Sequence, residues 1–266
     1  MRDISIGIIG CGNMGSAIAG GIVKKQIIEL DRVFLYDKEI KKAEILSQKI
    51  KAKVVELSDL VKSSDFLLIA VKPQDFSSLL EELVQYIDKQ TIISVMAGIS
   101  MLAINDKIKK ETAIARVMPN MAAFVGESIT CLSFNDKVKN RQEIKDIFTG
   151  IGQVLEVDET LLDSVTALAG SGPAYLFYFA KALIEAGVAI GLDVKTAQEL
   201  TIQTLYGASL LLKETKFAPE DLIEKVASKG GTTEAGLKVF EAERMKDIIK
   251  TAVKQAKKRA EELCLR

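Results

Sequence analysis

The feature that most constrains the fold is a glycine-rich turn directly after the first apolar run. ISIGIIG has the composition of a buried strand, and CGNMGSAIAGG then places Gly10, Gly12 and Gly15 in G-x-G-x-x-G spacing at the start of a helical pattern. In that setting the first glycine makes a tight turn, the second lets a pyrophosphate approach the backbone, and the third lets helix and strand touch. The pattern predicts a dinucleotide-binding unit, with a purely structural glycine turn as the alternative.

Apolar runs alternate with helical patterns through the first half of the chain. RVFLYD, AKVVE, DFLLIAV, TIISVMAG and TAIARVMPN are rich in β-branched residues, and GQVLEVD gives a last strand. Such alternation predicts a mostly parallel sheet covered by helices on both faces. From about residue 159 the periodicity is helical to the end. We therefore predict an α/β fold, with a Rossmann-type NAD(P)-binding domain at residues 1–158 and an all-helical domain at residues 159–266.

Two helical segments of the second half are apolar on almost every side, namely AYLFYFAKALIEAGVAIGL and TAQELTIQTLYGASLLLKE. A helix of that kind is normally deeply buried. A segment of about 108 residues has too little chain of its own to cover both helices. We therefore expect at least a homodimer that buries them mutually.

Composition argues against several classes of function. Lys plus Arg and Asp plus Glu are both 36, so no nucleic-acid partner is expected. Cys11, Cys131 and Cys264 are far apart, which argues against disulfides and zinc and fits a reduced cytoplasmic setting. The most apolar stretch, 164–180, falls short of the ~20 residues that a membrane span needs. The absence of histidine excludes imidazole acid–base chemistry and His-ligated metals, so no metal is expected.

The end of the second strand supplies candidates for contacts with an adenosine. Asp37 follows Gly15 by 22 residues, where an acidic residue usually accepts hydrogen bonds from ribose hydroxyls and would repel a 2′-phosphate. The next residues include three lysines, Lys38, Lys41 and Lys42, whose positive charge could tolerate that phosphate. The alternative is that they form a solvated helix face, which is the better interpretation of Lys41 and Lys42. The choice between NADP(H) and NAD(H) stays open.

Two later strands also end in residues suited to a ligand, since ligands of open α/β sheets bind at the carboxyl ends of the strands. After DFLLIA, Pro73 fixes a turn, and Lys72 either reaches a phosphate or ribose or is an ordinary loop lysine. In SVMAGIS, Ala97 and Gly98 allow close approach of the backbone.

The segment ASKGGTTEAGL, residues 227–237, precedes another helical pattern. A Gly-Gly-Thr-Thr sequence there exposes backbone N–H groups at a helix N-terminus, which suits an anion. A threonine N-cap is the structural alternative. In a chain without histidine, a protonated imine is a suitable substrate because its carbon is already activated, so that positioning and hydride delivery carry most of the work. The helix terminus would then hold a substrate carboxylate.

Taken together, the motifs resemble those of the pyrroline-5-carboxylate reductase family. GCGNMG, AVKP, RVMPN, TALAGSGPAY and VASKGGTTEAGL carry the resemblance from end to end. The resemblance implies a Rossmann domain followed by a helical domain for dimerisation and substrate binding, which intertwines with a second subunit to give a homodimer or a ring of dimers. It also implies reduction of L-1-pyrroline-5-carboxylate to L-proline, the last step of proline synthesis.

The resemblance, together with the positions above, assigns roles to individual residues. Thr233 is the implied hydrogen-bond partner or proton donor for the ring nitrogen, and Asn120 is implied to lie near the nicotinamide. The candidate cofactor residues are Gly10, Gly12, Asn13, Met14, Gly15, Asp37, Ala70, Val71, Lys72, Pro73, Ala97, Gly98 and Asn120. The candidate substrate residues are Glu159, Thr166, Ser228, Gly231, Thr232 and Thr233.

The chain departs from the family pattern at two places. Met121 and Ala122 follow Asn120, where the family usually has Thr-Pro, and Lys229 stands where the family often has proline in Ser-Pro-Gly-Gly. At Lys229 we expect a looser loop and added positive charge beside the substrate carboxylate.

Other functions are compatible with this plan. A β-hydroxyacid dehydrogenase shares it but would use a lysine base early in the second domain, whereas Lys181 lies well after GSGPAY. Another cyclic imine reductase is a further alternative. A non-catalytic nucleotide-sensing protein is disfavoured because both the glycine-rich turn and Gly-Gly-Thr-Thr are intact.

Overall fold

The computed structural model describes residues 4–264, except for the side chain of Cys264, and the chain divides into two compact units. One unit runs to Ser171 and takes in the chain from Ala256 onward, while the other comprises Gly172–Gln255. Cys11 and Cys131 are buried free thiols, whereas the prediction for Cys264 lies outside the described side chains. No helix among the described residues is long and apolar enough to cross a membrane.

The first unit is built on one eight-stranded sheet in the order β3-β2-β1-β4-β5-β6-β7-β8. All neighbouring strands are parallel except β6 and β7, which are antiparallel. The predicted α/β fold with a mostly parallel sheet is confirmed. The strands are β1 (Ile6–Ile9), β2 (Val33–Tyr36), β3 (Lys53–Val54), β4 (Phe66–Ile69), β5 (Thr91–Ser94), β6 (Ile114–Met118), β7 (Ser128–Phe134) and β8 (Gly152–Glu156).

Helices accompany these strands and bury their apolar sides in two separate cores. Because side chains alternate along a strand, Ile8 of β1 belongs to one core with Ile18 and Phe148, while Ile9 belongs to the other with Leu60. The helices of this unit are α1 (Asn13–Lys24), α2 (Ile40–Ile50), α3 (Leu57–Ser63), α4 (Phe76–Leu83), α5 (Met101–Ile108), α6 (Arg141–Thr149) and α7 (Leu162–Val165). Short 3₁₀ turns span Leu30–Arg32, Pro73–Asp75, Met121–Val125 and Glu159–Leu161, and a π-helical turn spans Thr166–Gly170.

The sequence analysis missed β7. Its sequence, SITCLSF, carries small polar residues that weaken the apolar signal of a strand. Ser128 and Thr130 are nevertheless buried, and the Ser128 hydroxyl accepts a hydrogen bond from the amide of Asn120 at 3.0 Å. Hydrogen bonding therefore makes this polar strand compatible with the interior of the sheet.

The second unit contains only helices among its described elements. Asp193 caps α9 by accepting a hydrogen bond from the amide of Thr196 at 3.0 Å, and Gly191 turns the chain between α8 and α9 with a φ of +104°. These two helices pack against each other. The helices are α8 (Gly172–Ala189), α9 (Val194–Thr215), α10 (Pro219–Val226), α11 (Thr232–Ala242) and α12 (Met245–Cys264), whose last part is grouped with the first unit.

In the single chain the two apolar helices are exposed, as expected for helices that only a second copy can bury. Helix α8 contains no buried residue, and its Phe177 and Tyr178 are 63% and 78% exposed. On α9, Ile202 and Tyr206 are also exposed. The helices form as predicted, but the chain supplies too little covering surface for them.

The predicted change from strands to helices near residue 158 is present, since β8 ends at Glu156 and helical turns begin at Glu159. The two compact units, however, divide later, after Ser171. Residues 159–171 belong to the first unit because Leu162 is buried in a small cluster with Met118 and Cys131. The domain limits 1–158 and 159–266 stay a prediction.

The exposed apolar side chains of α8 predict self-association. Phe177→Glu should yield monomers, because a buried carboxylate without a partner is strongly unfavourable. Gln48→Glu adds the same single negative charge at an exposed position of α2 and should leave the assembly intact. Analytical ultracentrifugation of both variants, with circular dichroism to check helix content, tests this. Unaltered sedimentation of a folded Phe177→Glu variant would place the contact elsewhere.

Candidate functional site

The glycine-rich turn between β1 and α1 approaches its neighbours very closely. Gly10 has a φ of +101°, and a Cβ atom there would lie 2.7 Å from the carbonyl oxygen of Ala70. A Cβ atom on Gly15 would lie 1.9 Å from the carbonyl oxygen of Gly10. Both predicted reasons for glycine, the tight turn and the close contact of helix and strand, are therefore found in the structure.

Gly12 differs from these two glycines because nothing lies within 4 Å of the position that a Cβ atom would take. It is exposed and forms the N-cap of α1, whose first helical residue is Asn13. The first turn of a helix has unpaired N–H groups and a partial positive charge. Open space beside such donors fits the pyrophosphate of a dinucleotide.

A cleft of about 790 Å³ lies at the carboxyl ends of β1, β2 and β4. Here β1 has β2 on one side and β4 on the other, which is the position where open α/β sheets bind ligands. The structure brings six of the predicted cofactor residues together in its lining: Gly10, Gly12, Asp37, Ala70, Val71 and Lys72.

The carboxylate of Asp37 is fixed by the backbone around it. One oxygen accepts a hydrogen bond from the amide of Cys11 at 2.8 Å, and the other accepts one from the amide of Glu39 at 2.9 Å. Asp37 thus ties the end of β2 to the glycine-rich turn. It also lines the cleft, where its oxygens have further lone pairs to accept bonds from ribose hydroxyls.

Cys11 lies in the same turn, but its thiol is unreactive. The side chain is 5% exposed, and burial, with a smaller effect from Asp37, raises its pKa to about 12. A neutral thiol is a poor nucleophile. The contribution of Cys11 to the site is therefore its backbone amide.

Other predicted cofactor residues lie outside the cleft lining. Asn13 and Met14 begin α1, and Pro73 begins the 3₁₀ turn Pro73–Asp75. Ala97 and Gly98 follow β5, and Gly98 has a φ of +73°.

Asn120 follows β6 and organises the chain next to it. Its side-chain oxygen accepts from the amide of Ala122 at 3.1 Å, and its side-chain nitrogen donates to the carbonyl of Ala169 at 3.2 Å. Met121 and Ala122, which replace the Thr-Pro typical of the family, begin a 3₁₀ turn that this hydrogen bond caps. The Asn120 side chain therefore connects β6 to the π-helical turn.

A buried arginine that the sequence analysis missed holds Glu159 in place. Arg116 on β6 has a side chain that is 3% exposed and forms ion pairs with Asp163 at 2.9 Å and Glu159 at 3.5 Å. Glu159 also accepts a hydrogen bond from the amide of Met101 at 2.7 Å. A charged residue inside an apolar strand, RVM, was the available signal.

Thr166, another predicted substrate residue, begins the π-helical turn. Its hydroxyl donates to the carbonyl of Leu162 at 2.8 Å, and its own carbonyl accepts from the amide of Ser171 at 2.8 Å. Such turns are rare and occur frequently at functional sites.

In the second unit, residues 228–231 form a tight turn before α11. The amide of Gly231 donates to the carbonyl of Ser228 at 3.0 Å, and Gly230 has a φ of +74°. The expectation that the Gly231 amide faces an anion is therefore wrong, since the turn uses it. The N-cap of α11 is Gly231 rather than a threonine, so Thr232 and Thr233 contribute the first two amides of the helix.

The same turn explains why the chain accepts Lys229. In a four-residue turn, proline is favoured at the second position and glycine is needed at the third when φ is positive. Lys229 occupies the second position, and Gly230 supplies the third. The turn forms without proline, and the expectation that Lys229 loosens it stays a prediction.

A carboxylate of the chain also lies at this helix terminus. Glu234 accepts a hydrogen bond from the amide of Gly230 and forms an ion pair with Lys238 at 3.0 Å. The bond from Gly230, with a smaller effect of Lys238, lowers the pKa of Glu234. Glu234 thus stays ionised and stabilises the turn in front of the helix.

No group of three or more His, Cys, Asp or Glu side chains that could hold a metal ion occurs within residues 4–264.

Comparison with known proteins gives consistent matches over both parts of the chain. Residues 159–263 match a family model described as pyrroline-5-carboxylate reductase dimerisation, and residues 5–98 match one described as NADP oxidoreductase, coenzyme F420-dependent. The pyrroline-5-carboxylate reductases of Synechocystis sp. and Aquifex aeolicus are 36% and 34% identical to this chain, with 98% and 97% of both chains covered. The crystal structure of Plasmodium falciparum pyrroline carboxylate reductase with NADP bound is 29% identical, covers 99% of both chains and has a TM-score of 0.90.

The glycine-rich turn allows fold and binding to be tested separately. Gly12→Ala should leave stability within about 1 kcal/mol, because its methyl group enters open space, yet should weaken NADPH binding at least about tenfold by occupying the space for the pyrophosphate. Gly15→Ala should lower the free energy of unfolding by about 2–4 kcal/mol, because its methyl group meets a carbonyl. Urea denaturation and fluorescence titration measure the two effects. Normal NADPH affinity in Gly12→Ala would place the pyrophosphate elsewhere.

Proposed function

This chain belongs to the pyrroline-5-carboxylate reductase family, and we propose that it reduces L-1-pyrroline-5-carboxylate to L-proline with NADPH or NADH, the last step of proline synthesis. The observation that carries the proposal is the similarity to two reductases of that name over nearly the whole chain, at 34% and 36% identity. The cleft at the switch point of the sheet supports it, because the cleft's glycine-rich turn fits a pyrophosphate.

At the cofactor end, the backbone provides most of the binding groups. When bound, the dinucleotide supplies the hydride that adds to the carbon of the substrate C=N bond. The amides at the start of α1 stabilise the pyrophosphate, and the fixed carboxylate of Asp37 accepts hydrogen bonds from the adenosine ribose. The other assignments remain as expected from the sequence, with Ala70, Val71, Lys72 and Pro73 on the adenosine and phosphate side and Ala97, Gly98 and Asn120 towards the nicotinamide.

At the substrate end, the N-terminus of α11 holds the carboxylate. With the Gly231 amide bonded inside the turn, the backbone donors are Thr232 and Thr233, and the hydroxyls of Ser228 and Thr233 add side-chain hydrogen bonds. These donors are fixed before the substrate arrives, so no reorganisation is needed during the reaction. The hydroxyl of Thr233, or a water beside it, is the hydrogen-bond partner or proton donor for the ring nitrogen.

Glu159 and Thr166 act indirectly in this proposal. Glu159 is held by Arg116 and the start of α5, and Thr166 begins the π-helical turn before SGPAY. Both residues position backbone of the first unit rather than supply a reacting group.

Self-association is supported by the dimerisation family match over residues 159–263 and by the exposed apolar surface of α8 and α9. We propose a homodimer formed by the helical unit, with larger rings built from such dimers. A cytoplasmic location, without nucleic-acid or membrane partners, stays a prediction.

The direct test mixes the protein with NADPH and L-1-pyrroline-5-carboxylate and follows the absorbance of the reduced nicotinamide. We expect oxidised nicotinamide and L-proline in equal amounts. Reduction of NADP⁺ by a 3-hydroxy acid would indicate a β-hydroxyacid dehydrogenase instead. Nucleotide binding without turnover of either substrate would indicate a nucleotide sensor.

Thr233→Ala tests the substrate anchor. The change removes one hydroxyl and keeps the backbone donors, so kcat/KM should fall by about ten- to a hundredfold, the equivalent of one hydrogen bond to a charged group, or about 1.5–3 kcal/mol. Thr233→Ser should restore most of the activity. Thr251→Ala removes a hydroxyl that bonds the α12 backbone and serves as the control. An unchanged kcat/KM in folded Thr233→Ala would move the substrate anchor away from α11.

A further inference from the structure

Two lysine–carboxylate pairs lie where the adenosine end of the cleft meets the end of β2. Lys42 bonds Glu39 at 2.6 Å, and Lys38 bonds Asp75 at 2.6 Å. All four side chains belong to the cleft lining. Two of the three lysines considered for the 2′-phosphate, Lys38 and Lys42, are therefore already engaged by carboxylates of the same cleft.

The two pairs differ in what they connect. Lys42 and Glu39 are three residues apart on one helix end, whereas Lys38 and Asp75 are 37 residues apart. The second pair links the end of β2 to the 3₁₀ turn that follows β4, and so joins two sides of the cleft.

The backbone of Asp75 is held by hydrogen bonds, whereas the side chain of Lys38 extends into solvent. The amide of Asp75 donates to the carbonyl of Lys72 at 2.9 Å, and its carbonyl accepts from the hydroxyl of Ser78 at 3.0 Å. The side chain of Lys38 is 65% exposed, against 30% for Asp75. A long, solvated lysine changes partner easily, because exposed ion pairs are weak.

We propose that Asp75 sets the preference between NADPH and NADH by competing with the 2′-phosphate for Lys38; this inference rests on the proposed function. The phosphate is a dianion with strong acceptor oxygens and needs a cation. Asp37 cannot move away from it, because two backbone amides hold its carboxylate. A ribose with a free 2′-hydroxyl needs no cation and leaves the pair between Lys38 and Asp75 intact.

The test uses adenosine fragments in place of the whole cofactor, so that binding is measured without catalysis. Dissociation constants for 2′,5′-ADP and 5′-AMP are determined by calorimetry at low salt, where exposed charges are least screened. Asp75→Asn should tighten binding of 2′,5′-ADP by about three- to tenfold and leave 5′-AMP unchanged within about twofold. The NADPH-to-NADH ratio of kcat/KM should rise by a similar factor.

Two further variants show whether Lys38 carries the effect. In a Lys38→Met background, Asp75→Asn should give no further gain for 2′,5′-ADP, because no lysine is released. Glu111→Gln breaks a comparable exposed pair with Lys137 away from the cleft lining and should change neither fragment's affinity.

Each outcome decides between the possibilities. An equal gain with and without Lys38 would mean that Asp75 acts by direct repulsion and would overturn the proposal, as would the absence of any gain. Equal weakening of both fragments would show that Asp75 only shapes the turn. Failure of the unaltered protein to bind 5′-AMP would instead contradict the proposed cofactor site itself.

Discussion

Close approach of backbone to backbone around Gly10 and Gly15 is the constraint on which the cofactor end depends. A side chain at Gly15 would overlap the carbonyl of Gly10, so β1, the turn and α1 can meet only without one. The same turn presents the amide of Cys11 to Asp37, which fixes the end of β2. One steric condition therefore places the first turn of α1, the carboxylate of Asp37 and the mouth of the cleft.

The helical unit is governed by a different constraint, which is a lack of covering surface. Helices α8 and α9 pack against each other, yet Leu176, Phe177 and Ile202 remain more than half exposed. Burial of apolar area contributes about 25 cal/mol per Å². Burying these side chains against a second copy of the chain therefore lowers the free energy relative to leaving them in water. The apolar side chains of these helices are unfavourable on the surface of a monomer and favourable in a dimer interface.

Sequence patterns predicted the features that depend on local composition and spacing. They missed the features that depend on hydrogen-bond partners elsewhere in the fold. Apolar runs located seven strands, and glycine spacing located the cleft. Strand β7 was missed because its Ser128 and Thr130 are buried through hydrogen bonds that no periodicity reveals. The Gly231 amide was assigned to an anion because the sequence does not show that the carbonyl of Ser228 already accepts it. By contrast, the apolar pattern of α8 and the shortage of covering chain together predicted that a second copy buries this helix.

Two features limit the chemistry of the site, which are the absence of histidine and the protonated state of the buried Cys11 thiol. The sequence contains no histidine, the side chain whose unperturbed pKa lies closest to neutrality. The Cys11 thiol in the cofactor turn stays protonated because burial raises its pKa to about 12. Oxidation of an alcohol requires a base for the hydroxyl proton, and the assigned residues supply fixed amides and hydroxyls instead. Such donors suffice for a substrate whose carbon is already activated by a protonated nitrogen, since charge neutralisation and alignment are then the main requirements. The residues assigned through the family resemblance thus fit imine reduction on chemical grounds.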